Sequence, residues 1–371
     1  MTASVIFYIS GHGFGHAIRQ IAVINALHEL TPSLPIVVRT AAPEWLFTRT
    51  TCGASLFLPG ETDTGVVQID SLRLDVTESV RQARAFLDRF DELVEREAGV
   101  IRANDVRLVI ADAPPLACAA AAAAGVPAVV CANFTWDWIY REYSEQPGVD
   151  SIVAETGCAY ATACAGWRLP LSGGFETISP TIDVPVIARH GRADIDSPGI
   201  RRAIDLPAQR PLALVSFGGY GLHQMPLTRL DCLTDWGIVL TTRGPESVTA
   251  PRGVHLVPEA RLYGRGLRYE DLVRAVDVVI TKPGYGIIAD CLANDAAMLY
   301  TSRGRFAEYD VMVREMPRYL RCLHLALDAF EAGTWDAALG TLANLPPPPE
   351  KIRTDGADVV AKMIAGLVNA T

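Results

Sequence analysis

The sequence predicts an α/β protein with two Rossmann-like, parallel-sheet domains that face a central cleft. In each half of the chain, short β-branched runs alternate with helical patterns, and this alternation is typical of a parallel sheet. The chain has 371 residues, half of them hydrophobic, which is enough to form two separate cores. Ligands of such folds bind at the carboxyl ends of the strands, so the loops there are the candidate functional site.

The N-terminal half contains the first series of strands and helices. Its strand-like runs, rich in β-branched residues, are residues 5–9, 36–40, 108–111 and 128–131. Helical patterns cover residues 17–30 and an alanine-rich stretch that begins near Leu116. Apolar residues also recur every three or four positions between residues 76 and 94, which predicts one long amphipathic helix that faces the core.

A second series of strand-like runs begins at residue 212 and continues at residues 238–240 and 278–280. A last helical pattern, at residues 358–369, follows four consecutive prolines. We therefore divide the chain into the following parts: an N-terminal domain at 1–188, an exposed linker at 189–210, a C-terminal domain at 211–345, and a proline-rich crossover with a terminal helix at 346–371.

Composition argues against several classes of protein. The net charge of −9 disfavours nucleic acid as the main partner. No uncharged apolar run reaches the ~18 residues that a membrane-spanning helix needs, and no basic leader of a secretory signal precedes the first strand. The eight cysteines are scattered without a Cys-x-x-Cys pair, which is typical of reduced core thiols. We therefore expect a cytoplasmic protein.

The first loop carries two histidines among three glycines, in the run SGHGFGH at residues 10–16. Glycines let a ligand approach the backbone closely, and the start of the next helix favours anionic ligand atoms, so Gly13 and Gly15 are candidate ligand contacts. His12 and His16 can each take a proton from a hydroxyl near neutral pH. A lone histidine is usually structural, but two in one glycine loop at the end of a strand favour a functional role.

Asp112 ends another buried strand-like run and is followed, after Ala113, by two prolines that stop the strand. Its carboxylate can orient His16 through one ring nitrogen, or it can cap the alanine-rich helix. The two roles are compatible, and we expect the pairing with His16. Trp136 lies in an aromatic run at residues 134–140 and can either floor a ligand pocket or pack in the core.

Two glycine-rich loops follow strands of the second half: SFGGYG at residues 216–221 and TKPGYG at residues 281–286. Such loops present backbone N–H groups to phosphate oxygens, and Lys282 adds a positive charge. Acidic groups further along can accept hydrogen bonds from a ribose or another sugar. The residues that we expect to hold a diphosphate-bearing ligand are Gly218, Gly219, Lys282, Gly284, Tyr285, Gly286, Asp290 and Glu308. No GxxxxGK[ST] occurs, so P-loop phosphoryl transfer is not supported.

These motifs, in this order, resemble those of GT-B nucleotide-sugar glycosyltransferases, a group that includes plant UDP-glycosyltransferases of small molecules. The chain is most similar to the N-terminal, glycosyltransferase-like half of plant arabinokinases. The similar segments are GHGFGHAIR (11–19), ADAPPLACAAA (111–121), NFTWDWIY (133–140), IDVPVIAR (182–189), FGG (217–219) and KPGYGIIADCLA (282–293). The resemblance does not extend to the sugar-kinase half, and it implies no kinase activity.

The resemblance implies a GT-B fold and an inverting transfer of a sugar from a UDP-sugar to a small-molecule acceptor, without a metal ion or other cofactor. It places His16 as the base and Asp112 as its partner. His12 is the competing candidate for the base and, with Trp136, belongs to the expected acceptor pocket. Asp290 corresponds to a ribose-binding acid and Glu308 to a sugar-binding acid. The terminal helix is expected to return to the first domain.

Alternatives remain open at this stage. An enzyme of the same fold can use water as the acceptor or epimerise the sugar. A nucleotide-sugar-binding module without catalysis is also compatible with the arabinokinase resemblance. The sequence names neither the acceptor, the sugar nor the nucleotide base, and it is compatible with a homodimer.

Overall fold

The computed structural model describes residues 3–70, 72–217, 235–242, 250–302 and 304–370, with the backbone alone at residue 370. Two parallel β-sheets form the centres of two domains, as predicted. Each sheet has clusters of buried apolar side chains on both of its faces. Within these residues, no helix is both long enough and apolar enough to cross a lipid bilayer.

The first domain alternates strands and helices. In chain order its elements are β1 (Ser4–Ile9), α1 (Phe14–Leu30), β2 (Ile36–Thr40), α2 (Glu44–Thr50), β3 (Ser55–Pro59), β4 (Val67–Gln68), β5 (Leu74–Asp75), α3 (Val76–Leu87), α4 (Phe90–Ala103), β6 (Val106–Asp112), α5 (Pro115–Ala124), β7 (Ala128–Phe134), α6 (Trp136–Arg141), α7 (Val149–Tyr160), β8 (Ala165–Gly173) and β9 (Thr181–Asp183). The sheet order is β3-β2-β1-β6-β7-β8-β9, with every pair parallel. Strands β4 and β5 form a separate antiparallel hairpin.

The second domain has the same architecture. Its described elements, with the terminal helix of the chain, are α8 (Ser197–Ala203), β10 (Leu212–Ser216), β11 (Gly237–Thr242), β12 (Val254–Pro258), α9 (Glu259–Gly264), α10 (Tyr269–Ala275), β13 (Val278–Thr281), α11 (Tyr285–Asn294), β14 (Ala297–Tyr300), α12 (Ala307–Glu315), a 3-10 helix (Met316–Arg318), β15 (Cys322–His324), α13 (Leu327–Ala332), α14 (Asp336–Ala343) and α15 (Gly356–Ala370). The sheet order is β12-β11-β10-β13-β14-β15, again parallel throughout.

Each sheet has a switch point, where the chain order of the strands reverses. In the first sheet β1 lies between β2 and β6, and in the second sheet β10 lies between β11 and β13. The connections leave these central strands in opposite directions, so a crevice opens at the carboxyl ends of the strands. The two switch points are therefore the places where each domain can bind a ligand.

The apolar stretch between residues 76 and 94 forms two helices, α3 and α4, and not the single helix that its periodicity predicted. Val80 and Leu87 of α3 pack into an aromatic cluster of the first domain, whereas Ile101 of α4 packs against the first sheet. The break lets the two helices cover separate parts of the core.

Residues 189–210 are not the exposed linker that their composition predicted. Part of the segment forms α8. Ile200 in this helix and Ile204 directly after it are 0% and 1% exposed in the core of the second domain. The buried Arg201 donates from Nη2 to a carboxylate oxygen of Asp277 at 2.9 Å. The charged residues suggested an exposed segment, but one of them, Arg201, is buried and binds a carboxylate of the second domain.

The chain crosses between the domains twice, and the two crossings run side by side. The backbone N–H of Val186 donates to the carbonyl of Arg353 at 3.1 Å, and that of Gly356 donates back to Val186 at 2.9 Å. A Cβ at position 356 would lie 2.3 Å from the carbonyl oxygen of Pro185. This close approach of two backbones therefore requires glycine at position 356.

Helix α15 begins at Gly356 and packs against α1, so it lies in the core of the first domain although it follows the second domain in sequence. Val360 and Ile364 on its inner face are 0% exposed, whereas Leu367 on the same helix is 39% exposed.

The cysteines that the structure describes are free thiols. Cys52, Cys158 and Cys164 are exposed, so the expectation of core thiols is wrong for these three. A small, weakly polar side chain tolerates either environment, and the sequence pattern does not distinguish between them.

We expect Ile364→Ala to lower the free energy of unfolding by about 2–5 kcal/mol, because it removes buried methyl groups and leaves a cavity. Leu367→Ala is the matched control on the same helix, and it should change that free energy by about 0.5 kcal/mol or less. Urea unfolding followed by circular dichroism measures both. Equal effects of the two substitutions would contradict the packing of α15 onto the first domain.

Candidate active site

The candidate active site begins at the first switch point, where β1 and β6 end side by side. Helix α1 starts at Phe14, earlier than its apolar pattern predicted, and the preceding Gly13 has a φ of 83° that favours glycine. His16 therefore lies in the first turn of the helix. Asp112 is the last residue of the neighbouring strand β6, so both side chains lie at the same edge of the sheet.

His16 and Asp112 lie within hydrogen-bond distance of each other. Nδ1 of His16 is 3.0 Å from Oδ1 of Asp112, and the two residues are 8% and 0% exposed. When Nδ1 donates its proton to the carboxylate, Nε2 keeps the lone pair that can accept a proton. The ring of Phe134 packs edge-on against the imidazole, with ring centres 5.6 Å apart.

A third charged side chain, Arg19, lies against the same carboxylate. Its Nε is 3.3 Å from Oδ2 of Asp112, and its terminal nitrogens contact Oδ1 of Asp112 and the side-chain oxygen of Asn133. Asn133 donates in turn to the carbonyl of Pro170 at 2.7 Å. Burial alone would raise the pKa of Asp112, but Arg19 and His16 hold this pKa below its ordinary value. The Asp112 carboxylate is therefore kept charged.

Sequence reasoning did not assign Arg19 or Asn133 to the site, although part of the signal was present. Arg19 lies one helical turn after His16 and so on the same face of α1. A charged residue on a face that enters the core needs a buried partner. That partner is Asp112, which is 93 positions away in the chain, and no local pattern identifies it.

The alternative role of Asp112, as the cap of α5, is not observed. The N-cap position is Pro114, and no side chain caps this helix. Between the two residues, Ala113 has a φ of 72°, a left-handed conformation that alanine rarely adopts. The hydroxyl of the buried Tyr160 donates to the carbonyl oxygen of Ala113. This strained turn redirects the chain directly after Asp112 and ends the strand there.

An aromatic wall, formed by Phe134, Trp136 and Tyr140, lies beside the pair. The ring centre of Trp136 is 5.1 Å from that of Phe134 and 5.9 Å from that of Tyr140. Trp136 is only 2% exposed, so its ring packs in the core and meets a ligand at most at its edge. Its indole Nε1 donates to Oδ2 of Asp63 at 2.8 Å, and Asp63, like Arg19 and Asn133, was missed by sequence reasoning.

His12, the competing candidate for the base, lies against the aromatic wall and not against Asp112. Its ring packs edge-on against Trp136, with ring centres 5.8 Å apart. Its Nε2 is 3.1 Å from Nε2 of Gln68. The histidine that the structure brings together with the buried carboxylate is therefore His16.

The second switch point faces the first across the cleft. Lys282 lies in the loop after β13, and α11 begins at Tyr285. A Cβ on Gly286 would lie 3.8 Å from Cα of Gly15, and the ring centre of Tyr285 is 6.1 Å from that of Phe134. The first turns of α1 and α11 therefore meet, and the free N–H groups of both helix N-termini attract anionic groups.

The loop after β14 crosses to the first domain beside the aromatic wall. Phe306 from this loop is 4% exposed and packs among the aromatic side chains of the first domain. Nη1 of Arg305 lies 2.9 Å from Oε1 of Glu145. Glu308, the expected sugar-binding acid, follows in the first turn of α12 and is half-buried. Both domains thus contribute to this side of the cleft.

Asp290 occupies a different place from the one expected. Its carboxylate is buried and accepts a hydrogen bond from Nε of Arg189 at 3.2 Å. Arg189 also lies 3.3 Å from Oε2 of Glu270. This buried ion pair joins the crossover segment to α11, so the Asp290 carboxylate is engaged within the protein and does not lie open to a ribose. The ribose contact expected for Asp290 stays a prediction, and the contact that the structure shows is the one with Arg189.

The remaining donor-side candidates are placed as follows. Gly284 is the N-cap residue of α11, so it lies at the helix terminus that faces α1. Gly218 and Gly219 lie outside the described residues. Phe217, which precedes them, is buried at the end of the strand β10.

The acidic residues of the described chain offer no clustered metal site. No three His, Cys, Asp or Glu side chains within the described ranges come together in an arrangement that could hold a metal ion. The chain has one Asp-x-Asp sequence, at Asp194 and Asp196. Asp194 accepts from Nε of Arg192 at 2.9 Å, and Asp196 caps α8 by accepting from the backbone of Gly199 at 2.8 Å.

Two parallel-sheet domains with facing switch points, and a terminal helix that returns to the first domain, define the GT-B fold. Solved structures of glycosyltransferases share it, and the predicted fold class is confirmed. The calicheamicin glycosyltransferase CalG4 superposes with a TM-score of 0.65 over 100% of this chain and 99% of that chain, at 14% identity. UGT2 of Phytolacca americana, complexed with UDP-2-fluoro-glucose and pterostilbene, gives a TM-score of 0.59 over 99% and 94%, at 12% identity.

By sequence, the chain is similar to L-arabinokinase of Arabidopsis thaliana, as its motifs predicted. The two are 27% identical over 351 residues, which is 92% of this chain. The chain spans 32% of the length of that relative. No protein-family model matches the chain.

Arg19→Met removes the guanidinium that accompanies the buried Asp112 carboxylate. We expect the free energy of unfolding near neutral pH to fall by about 3–5 kcal/mol, because a buried charge is left without its partner. Arg84→Met is the matched control, since it breaks a more exposed pair with Glu155 and should cost less than about 1 kcal/mol. Urea unfolding measures both variants.

The wild type and the Arg19→Met variant should also differ in how their stability responds to acid. Because the folded pKa of Asp112 is lowered, its contribution to stability is present above the unfolded pKa and is lost as the pH falls through the folded pKa. Without Arg19 the folded pKa rises, so the loss should begin at a higher pH. An Arg19→Met variant as stable as the wild type throughout the titration would show that Arg19 does not compensate Asp112.

Proposed function

We propose that the protein is an inverting glycosyltransferase that moves a sugar from a UDP-sugar to a hydroxyl of a small-molecule acceptor, without a metal ion. The observation that carries this proposal is the position of the His16–Asp112 pair next to the N-terminus of α11. Transfer to a hydroxyl needs a group that takes up the proton and a group that stabilises the departing diphosphate. The two domains supply one such group each, on facing sides of the cleft.

In the proposed step, Nε2 of His16 takes the proton of the acceptor hydroxyl while the oxygen bonds to the anomeric carbon. The bond between that carbon and the diphosphate oxygen breaks, and its electron pair leaves with the UDP. The acceptor attacks from the face opposite the diphosphate, so the configuration at the anomeric carbon inverts. Asp112 keeps Nδ1 protonated and stabilises the imidazolium that forms.

Arg19 and Asn133 support this role of Asp112. The hydrogen bonds from Arg19 fix both carboxylate oxygens, so the carboxylate presents a constant position to His16. Held charged by its neighbours, the carboxylate favours the histidine tautomer whose Nε2 can act as a base. The proposed base therefore depends on four side chains and not on a simple pair.

The charge of the departing diphosphate would be met by helix N-termini and by Lys282. The N-terminus of α11, with Gly284, Tyr285 and Gly286, offers backbone N–H groups on one side. Gly13 and Gly15 flank the N-terminus of α1 on the other side. Gly218 and Gly219 remain further candidates for the diphosphate, and Glu308 is proposed to hold a hydroxyl of the transferred sugar.

A structural neighbour supports a nucleotide sugar as the sugar-donating substrate. The Phytolacca americana neighbour was solved with UDP-2-fluoro-glucose. Its shared fold supports a nucleotide sugar as the ligand.

The proposal is tested by measuring UDP release from a panel of UDP-sugars, with and without hydroxyl-bearing acceptors. Acceptor-dependent release with formation of a glycoside is the expected result. Release without any acceptor would identify a hydrolase, and interconversion of the sugar without net release would identify an epimerase. Thermal stabilisation by UDP-sugars without any turnover would identify a binding module.

We expect His16→Ala to lower turnover by about 10²–10⁴-fold, the usual cost of losing a general base, with UDP affinity close to that of the wild type. Asp112→Asn should show a smaller loss of the same kind. His28→Ala is the matched control, because His28 is a buried histidine of the same helix that lies outside the proposed site. An active His16→Ala variant together with an inactive His12→Ala variant would reverse the two roles.

Lys282→Ala should weaken UDP binding by about 1–3 kcal/mol, the range for a hydrogen bond to a charged group. Isothermal titration calorimetry with UDP measures this change without any need for turnover. Lys362→Ala, at an exposed position of α15, is the control and should bind UDP as the wild type does. Unchanged UDP affinity in Lys282→Ala would remove Lys282 from the donor site.

A further inference from the structure

Three polar side chains lie beside the aromatic wall that packs against His16. Trp136 and Tyr140 are 2% and 4% exposed, so their faces are covered by other side chains. Asp63 and His12 both contact Trp136, and they and Gln68 are partly exposed. An acceptor beside this wall can therefore form hydrogen bonds with these side chains.

The loop at residues 60–68 is anchored in this position by contacts with the site itself. The hydroxyl of Thr62 donates to the carbonyl of Ile9, at the end of β1, at 3.2 Å. The hydroxyls of Thr64 and Tyr140 are 3.1 Å apart, and Tyr140 also donates to the carbonyl of Gly65 at 3.1 Å. The loop is thus held to strand β1 on one side and to the aromatic wall on the other.

These anchors place the carboxylate of Asp63 next to the proposed base. Oδ2 accepts a hydrogen bond from the indole of Trp136 at 2.8 Å, which orients the group. Burial raises the pKa of Asp63, while hydrogen bonds from Ser10 and Trp136 and the nearby His16 oppose that rise. No described arginine or lysine forms an ion pair with Asp63. A desolvated carboxylate without a basic partner gains most from a ligand that donates hydrogen bonds.

Gln68 adds a second hydrogen-bond acceptor. Its side-chain nitrogen lies 3.1 Å from Nε2 of His12, so its oxygen is also near that ring. This oxygen is buried and accepts no hydrogen bond from the residues that the structure describes. A buried acceptor without a partner is costly, and a donating ligand group would relieve that cost.

We propose that the acceptor is rich in hydroxyl groups, a free sugar or a cyclic polyol, and is not a flat aromatic aglycone. This inference rests on the proposed function. Asp63 accepts a hydrogen bond from a hydroxyl near the one that His16 deprotonates, and the oxygen of Gln68 accepts one from another. Both protein groups are acceptors, so the recognised groups on the ligand are donors. Carboxylate and amide oxygens beside an aromatic wall fit a polyol, which has many O–H groups and little apolar surface.

The test compares acceptor classes in one assay. Transfer from UDP-glucose, UDP-galactose and UDP-xylose is measured with D-glucose and myo-inositol as polyols and with 4-nitrophenol as the aromatic acceptor. We expect turnover with a polyol and little or none with 4-nitrophenol. In Asp63→Asn the KM for the polyol should rise about 10- to 100-fold, the loss of one hydrogen bond to a charged group, with kcat changed much less and UDP affinity unchanged.

Two further variants separate recognition from folding. Gln68→Met keeps the length of the side chain but removes the amide oxygen, and it should also raise the KM for the polyol without affecting UDP binding. Glu61→Gln removes a charge from the same loop at an exposed position and should behave as the wild type. If Asp63→Asn does not fold, as judged by its thermal unfolding, Gln68→Met decides the question.

The outcomes also distinguish failure of this inference from failure of the proposed function. His16-dependent transfer to 4-nitrophenol, with none to the polyols, would overturn the inference and leave the glycosyltransferase proposal standing. Unchanged KM for the polyol in Asp63→Asn and Gln68→Met would overturn it as well. Absence of both UDP binding and transfer would reject the proposed function and, with it, the inference.

Discussion

Asp112 carries a negative charge at 0% exposure, and the arrangement of the candidate site depends on how that charge is compensated. Water cannot solvate the carboxylate, so hydrogen-bond donors must surround it. Arg19 and His16 supply these donors from one face of α1, and Asn133 holds Arg19 from the neighbouring strand β7. The same contacts that stabilise the folded protein thus orient the proposed base, so stability and the proposed catalysis depend on the same side chains.

A second buried ion pair, in the other domain, fixes the helix whose N-terminus faces α1. Arg189, at the crossover between the domains, lies against Asp290 of α11 and Glu270 of α10. Helix α11 is the element whose N-terminus faces α1, so this pair connects the crossover to the proposed diphosphate site. With Gly356 packed against the first crossing, the two chain crossings form a compact connection between the domains.

The proposed acceptor side of the cleft is built from both domains. The aromatic wall and the loop at residues 60–68 belong to the first domain, whereas Phe306 and Tyr285 reach the aromatic cluster from the second. The contacts that complete this side of the cleft therefore lie close to the point where the first turns of α1 and α11 meet. This arrangement would exclude water from the reacting atoms, and exclusion of water favours transfer to the acceptor over hydrolysis.

The sequence by itself determined the central strands of both sheets, the fold class and the loops at the switch points, because hydrophobic periodicity and glycine placement are local signals. Strand β2, for instance, was predicted at residues 36–40 and lies at Ile36–Thr40. Locating His16 and Asp112 at one edge needed only the rule that parallel strands end together. The partners of buried charges were decided by the tertiary structure alone. Arg19 contacts Asp112 over 93 positions, and Arg189 contacts Asp290 over 101 positions. Whether a charged residue faces water or a buried partner depends on a distant part of the chain, and no local pattern contains that information.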